Sequence, residues 1–300
     1  MNRSSFCAYG AKQTVAALEP FEEAGTALVS TLAQSGTILP QERVEPLLHQ
    51  VEQARRAAVR LQACLTLFAP CFPPTRIAFW KRRLRRLMRA LNAMEDHLRL
   101  VALIPPRSRL RLRLQQHLEK FVEKAQQAWE RLHREHIPNE IRGLASPHPN
   151  GERGFNDQVK EYARVRWREL ARMNLGRESG KVGIQSPLLP NNYPIEVRWG
   201  RLQLMKEVAE MLVPLLNEEI PLEALRARSR ELSNQRFRAR AAAILQQLKA
   251  EERRLVLHYQ GHLRGFKRIE REFDQWIEQF QLHLSERSDL IERSSEAGGL

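Results

Sequence analysis

The sequence is short of the residues and runs that would place it in several common classes. Its 300 residues include only three cysteines, Cys7, Cys64 and Cys71, at intervals that match neither a zinc site nor a redox pair. Read from spacing alone, they are buried apolar thiols in a reducing compartment. No stretch reaches the roughly 18 uninterrupted apolar residues of a membrane span. The opening segment is broken early by Glu19, Glu22 and Glu23 and holds no apolar run fit for a signal peptide. A cytoplasmic protein with no membrane partner is the expectation. Gly-x-Ser-x-Gly, P-loop and Gly-x-Gly-x-x-Gly patterns are all missing, so no enzyme and no cofactor is expected. Strand runs followed by glycine turns are missing too, which predicts an all-α fold.

What the chain has in excess is positive charge. Lys and Arg total 49 against 35 for Asp and Glu, a formal +14, with most of the surplus from arginine. A charge of this size favours polyanions: nucleic acid, an inorganic phosphate polymer or an anionic surface. It does not choose among them.

Helical periodicity dominates from Gln41 onward. A looser N-terminal segment, 1–40, holds one predicted helix over 14–32, with Gly36, Thr37 and Pro40 punctuating its end. Val51, Ala54, Ala58, Leu61, Leu65 and Phe68 recur at spacings of three and four, and Pro70, Pro73 and Pro74 stop that helix. The next helix, about 75–104, buries Phe79, Leu84, Leu87, Met88, Leu91, Met94 and Leu98. Arg82, Arg85, Arg86 and Arg89 share its opposite face. Four guanidinium groups so placed repel one another unless something anionic answers them, and Glu95 and Asp96 lie only near the far end. A third helix is predicted over 107–136, despite the strand-like alternation of its opening RSRLRLRLQ, because the helical pattern then runs on unbroken. The sequence divides into a first helical half, 41–137, a linker, 138–155, a second helical half, 156–285, and a frayed tail, 286–300. Within the second half, helices are expected over 156–173 and 250–285, with a turn-rich stretch over 176–194.

The plan repeats. IEVRWGRLQLMKEVAEMLVPLL, from Ile195, parallels VEQARRAAVRLQACLTLFAPCF, from Val51, and RELSNQRFRARAAAIL parallels RALNAMEDHLRLVALI with Leu91 on Leu232. At these two helix pairs the sequence resembles the CHAD family, the conserved histidine α-helical domain. The resemblance rests on Val51, Arg55, Arg60, Leu67, Phe68, Pro70 and Asp96 in the first half. In the second half it rests on Ile195, Lys206, Leu212, Pro214 and Leu232. It spans roughly 45–285 and implies two helical bundles related by pseudo-symmetry, with a basic groove that binds inorganic polyphosphate. The chain departs from the pattern at telling positions. Glu52 and Glu196 stand where the family has its histidine, Val59 and Leu204 where it has a basic residue, Trp199 where it has an arginine and Phe237 where it has an aspartate. His49 lies one turn before Glu52; either it stands in for part of the lost imidazole or that position has no replacement.

The candidate site follows from both lines. Arginine forks grip phosphate oxygens in pairs, so Arg82, Arg85, Arg86 and Arg89 are the centre of the predicted polyphosphate-binding set. Arg55 and Arg60 are expected to extend it from the preceding helix, and Arg198, Arg201 and Lys206 to supply a weaker counterpart. Glu52 and Glu196 read as internal ion-pair partners, Glu52 with Arg55 or Arg56, and not as an acid–base pair. His133 and His136, like His258 and His262, are spaced for one helix face but lack a third ligand, so no metal is expected. Nucleic acid is the main rival partner, through Arg164, Arg166, Arg168 and Arg172 with Tyr162 and Trp167 interleaved for stacking, although no helix-turn-helix, zinc-finger or RNA-binding sheet signature is present. A protein-interaction scaffold is the third class. Oligomeric state is not legible. Granule association is an extension of the polyphosphate reading.

Overall fold

A computed structural model describes residues 3–34, 39–106, 108–145, 157–175, 193–216, 220–258, 270, 271, 273–276 and 278. Among them every regular element is helical: α1 (Arg3–Gln34), α2 (Gln41–Leu67), a single 3₁₀ turn (Ala69–Cys71), α3 (Pro74–Leu103), α4 (Arg109–Arg134), α5 (Ile137–Ala145), α6 (Asp157–Leu175), α7 (Ile195–Leu216) and α8 (Leu222–His258). None of these helices is long and apolar enough to cross a membrane.

Helix α2 is the centre of the packing. Its apolar positions, Val51, Ala54, Ala58, Leu61 and Leu65, are almost completely buried. It lies against α1, α3, α6 and α7. Helix α3 packs between α2 and α4, α7 between α6 and α8, and α8 reaches across to α3 and α4. The two helix pairs read from the sequence therefore meet in space, α2 on α7 and α3 on α8. Each buried large apolar side chain contributes roughly 1.5–3 kcal/mol; that burial, and not helix propensity, holds helices of this length in register.

Several boundaries differ from the sequence reading, each for a local reason. Helix α1 is longer than 14–32 and belongs to the core, with Phe6, Leu18, Phe21 and Leu28 buried. Its Gly25 lies directly under the indole of Trp129, where a methyl group would overlap the ring. Residues 138–145, predicted as linker, belong to α5, which starts at Ile137: His136 takes a left-handed conformation (φ 52°) that breaks α4 and lets the chain restart at once. Ile137 and Ile141 of that short helix are buried, on contacts with α1 and α4 that no local pattern announces. Pro214 does not stop α7 as the prolines stop α2, since the helix runs on to Leu216. Helix α8 passes through Ala250 without a break. Beyond it, Asp274 reaches Lys249 (2.5 Å) and Glu270 reaches Arg253 (2.7 Å), so this segment runs back along α8. Most of the helix expected over 250–285, and the tail 286–300, lie outside the described residues.

The cysteines overturn their reading. Cys7 and Cys71 form a disulfide, with Cα atoms 5.2 Å apart and a sequence separation of 64. It ties the start of α1 to the 3₁₀ turn after α2. Only Cys64 is a buried free thiol. The inference of a reducing compartment from three inert thiols loses its basis, because a disulfide belongs to oxidising surroundings.

Helix ends are closed by side chains. Ser108 accepts from the Leu110 N–H (3.1 Å) at the start of α4. Buried Arg111 donates to the carbonyls of Val101 (2.7 Å) and Ile104 (2.9 Å), satisfying the otherwise orphaned end of α3. Arg166 of α6 donates to Thr66 O (2.8 Å) and Leu67 O (3.2 Å) at the end of α2.

Candidate functional site

The arginines of α3 fall into two groups by where the helix turns them. Trp80, Leu84, Leu87, Leu91, Met94 and Leu98 are buried, and this fixes the rotation of the helix. One flank faces α4 and α5, where Arg83 grips both oxygens of Glu135 and Arg76 meets Glu140 (3.0 Å). The opposite face carries Arg82, Arg85, Arg86 and Arg89, all exposed. Among the described residues no carboxylate lies within salt-bridge distance of these four; Arg85 donates to Lys81 O (3.1 Å). Lys81 sits half-buried at the edge of this face. Burial, then Arg85 and Arg166, lowers its pKa below the ordinary lysine value.

The same stripe of α3 continues toward its C-terminal half, where α8 covers it and the electrostatics invert. Arg236 of α8 clasps both oxygens of Asp96 (2.9 and 2.8 Å) and donates to Glu196 of α7 (2.8 Å). Arg240 stands 3.5 Å from Asp96 and 3.6 Å from Glu196. Beside them Arg99 meets Glu52 and Glu95, both at 2.8 Å, Arg55 meets Glu95 at 2.5 Å, and Arg56 reaches Glu52 at 3.5 Å. The indole of Trp199 lies 4.3 Å from the Arg236 guanidinium and 5.4 Å from that of Arg55, donating its N–H to Ser233 (2.9 Å). Phe237 lies under Arg99 at 5.5 Å. Aromatic faces stabilise guanidinium charge taken out of water. Four carboxylates from three helices thus answer five guanidinium groups from three helices, all but one of their charges.

Burial and pairing compete in this network, with different outcomes for the two partners. Desolvation is the strongest influence on Asp96 and keeps its carboxyl above the ordinary range despite Arg236 and Arg240. Burial also works against the charge of Arg236, but Asp96 and Glu196 outweigh it and raise its pKa. Next to Asp96, His97 packs on Phe121 and donates its Nδ1–H to Ala93 O (2.8 Å). Burial pushes its pKa down to about 4. A histidine whose folded pKa lies below its unfolded value contributes stability that is intact above about pH 6.5 and lost on acidification. The wild type should therefore lose about 2 kcal/mol more than His97→Gln between pH 7 and pH 4.5, read from urea midpoints across that range. Equal losses in the two proteins would refute the assignment.

The sequence-predicted residues separate accordingly. Arg82, Arg85, Arg86 and Arg89 form one solvent-facing strip. Arg55 does not extend it: only 9 % exposed, it belongs to the interior network, paired with Glu95 and not with Glu52. Arg60 points across to α7, 3.5 Å from Glu207 and 4.0 Å from Glu210. Lys206 meets Glu207 (3.2 Å). Arg201 lies over Tyr193 (5.3 Å) and donates to Met173 O (3.4 Å), and Arg198 is half-buried on α7. Among the described residues no counterpart strip forms on the second half.

The stacking surface expected on α6 is not there. Trp167 is buried, and Tyr162 packs against Phe6 with ring centroids 4.6 Å apart. Arg164 pairs with Glu161, and Arg166 with Glu169 at 2.5 Å. His133 bonds Trp129 O (3.1 Å) while His136 sits in the turn, so the pair does not share a face; His262 lies outside the described residues. No cluster of three metal-ligating side chains occurs among the described residues. Nothing local in the sequence singles out Arg99, Arg236 and Arg240. Their signal was the Glu95-Asp96 doublet inside an apolar run, which demands buried cations from elsewhere.

The model of the CHAD domain family matches residues 41–178, covering α2 to α6. No curated protein and no solved structure matches the chain.

Proposed function

We propose that this protein, with CHAD-domain character over residues 41–178, binds inorganic polyphosphate without chemistry on it, on the outer face of α3. The observation that carries the reading is the contrast within one helix. Arg82, Arg85, Arg86 and Arg89 stand exposed with no carboxylate within salt-bridge distance among the described residues, while the cations deeper in the bundle are already neutralised by Glu52, Glu95, Asp96 and Glu196. At 1.5 Å of rise per residue the four arginines extend over roughly 10 Å of helix. That is a short track of fork-shaped donors suited to a chain of closely spaced phosphates.

The binding force is electrostatic and sequence-blind. Neutralising about four phosphates releases their counterions, so the slope of log K against log salt should be about −3 by analogy with single-stranded nucleic acid. The test is competition among long-chain polyphosphate, single-stranded RNA and duplex DNA, matched for charge, at two salt concentrations. Polyphosphate should win at both. Equal binding of all three would replace this reading with a generic basic surface.

A second reading draws on the neutralised interior. Glu52 and Glu196 supply two of the carboxylates that fill the space between the helix pairs, which fits a scaffold that has given up polyanion binding. It predicts no binding of any of the three competitors.

A further inference from the structure

Next to the arginine strip, at the beginning of α3, the surface changes character. Ala69, Pro70, Pro74, Ile77 and Ala78 line a cleft of about 490 Å³, with Lys81 and Arg85 among its lining residues. The volume lies within the range of small-molecule sites, as does the recipe of an apolar floor with a few polar groups. The cleft is built rigidly. Ile77 is 7 % exposed, the prolines fix the backbone on either side of the turn, and the Cys7–Cys71 disulfide anchors that turn to α1.

The cations of the cleft are short of counter-charge. Among the described residues neither Lys81 nor Arg85 has a carboxylate within salt-bridge distance. Arg166, whose charge also acts on Lys81, is partly answered by Glu169. Water satisfies exposed guanidinium groups well, but a half-buried ammonium that feels the charge of two arginines gains most from a bound anion. Inorganic polyphosphate would leave the apolar floor unused. A purely apolar molecule would leave Lys81 uncompensated. The two halves of the cleft are satisfied together only by a ligand with both.

We infer that this cleft is a binding site for a small amphipathic organic anion, whose apolar body rests on Ile77, Ala78 and the prolines while its phosphate or carboxylate group meets Lys81 and Arg85. The site adjoins the proposed polyphosphate face and shares Arg85 with it, but it selects on an apolar group that polyphosphate lacks.

The probe is n-octyl phosphate, compared with inorganic phosphate and n-octanol by titration calorimetry on the full chain. Octyl phosphate should bind one-to-one and at least about tenfold more tightly than either half-molecule alone. Ala78→Arg is the discriminating variant. Ala78 is exposed on a helix, so the change is compatible with the fold. It adds a positive charge and obstructs the cleft. Octyl phosphate affinity should fall about tenfold or more, while retention of long-chain polyphosphate stays the same or rises. Lys81→Met, which keeps the aliphatic stem, should weaken octyl phosphate about tenfold, the loss of one charge-assisted contact, and leave octanol unchanged. Octyl phosphate binding no better than inorganic phosphate, or unaltered by Ala78→Arg, would overturn the inference. Loss of polyphosphate retention in the wild type with octyl phosphate binding intact would remove the α3-face reading and leave the cleft standing.

Discussion

Asp96→Asn is expected to lower the stability of the fold by about 3 kcal/mol, measured as a shift of the urea midpoint at unchanged slope. Asp96 is 1 % exposed, and both its oxygens are taken by Arg236, itself 5 % exposed. Asparagine matches its shape but leaves the buried guanidinium with Glu196 as its remaining carboxylate, and Glu196 sits in solvent on one side. Breaking one side of a buried ion pair costs more than the pair is worth, because the surviving charge keeps its desolvation penalty. The double variant Asp96→Leu with Arg236→Met should therefore recover at least half of the loss, since it removes both penalties together and leaves Glu196 to Arg240. A single-variant loss below about 1 kcal/mol, or a double variant no more stable than the single, would show that the network is not what joins α3 to α8.

The second large effect concerns binding. Arg82→Ala, Arg85→Ala, Arg86→Ala and Arg89→Ala together should reduce polyphosphate affinity at least about a hundredfold. That requires only about 0.7 kcal/mol from each exposed contact. Stability should barely change, since all four side chains are exposed and alanine is the better helix former. The quadruple Arg→Lys protein separates two origins of affinity: retained binding means charge alone, and a substantial loss means bidentate forks. Undiminished polyphosphate retention by the quadruple alanine protein would remove the assignment of this face.

Much of the architecture is legible because it is local. The apolar spacing of α2 and α3 names most of the residues that are buried, although Phe79 and Met88 are only half-buried and Trp80 takes the buried place beside Phe79, and the prolines between the helices mark where the chain must turn. The position of Arg82, Arg85, Arg86 and Arg89 opposite that stripe follows from helix geometry with no knowledge of neighbours. By the same logic the pattern over 156–173 marks α6 to within two residues of its ends. The failures share one cause. Residues 137–145 and the first turns of α1 are helical because other helices cover them, and Cys7 meets Cys71 because α1 runs along α2.

Charge sorting is the least local feature of the fold. Two arginines on adjacent helices, Arg55 on α2 and Arg82 on α3, look equally available in the sequence. In the fold one is sealed against Glu95 and Trp199 and the other faces water. The difference lies in whether α7 and α8 lie over that part of the stripe, and α8 supplies Arg236 and Arg240 from 140 and 144 residues beyond Asp96.

The sequence by itself therefore determined the helical class, the core faces of the central helices and the existence of one basic strip on α3, since these depend on a period of 3.6 residues and on proline stops. Only the tertiary structure decided which cations remain available to a ligand. A charge is silenced by whatever carboxylate the packing brings within a few ångströms, and that carboxylate can come from anywhere in the chain.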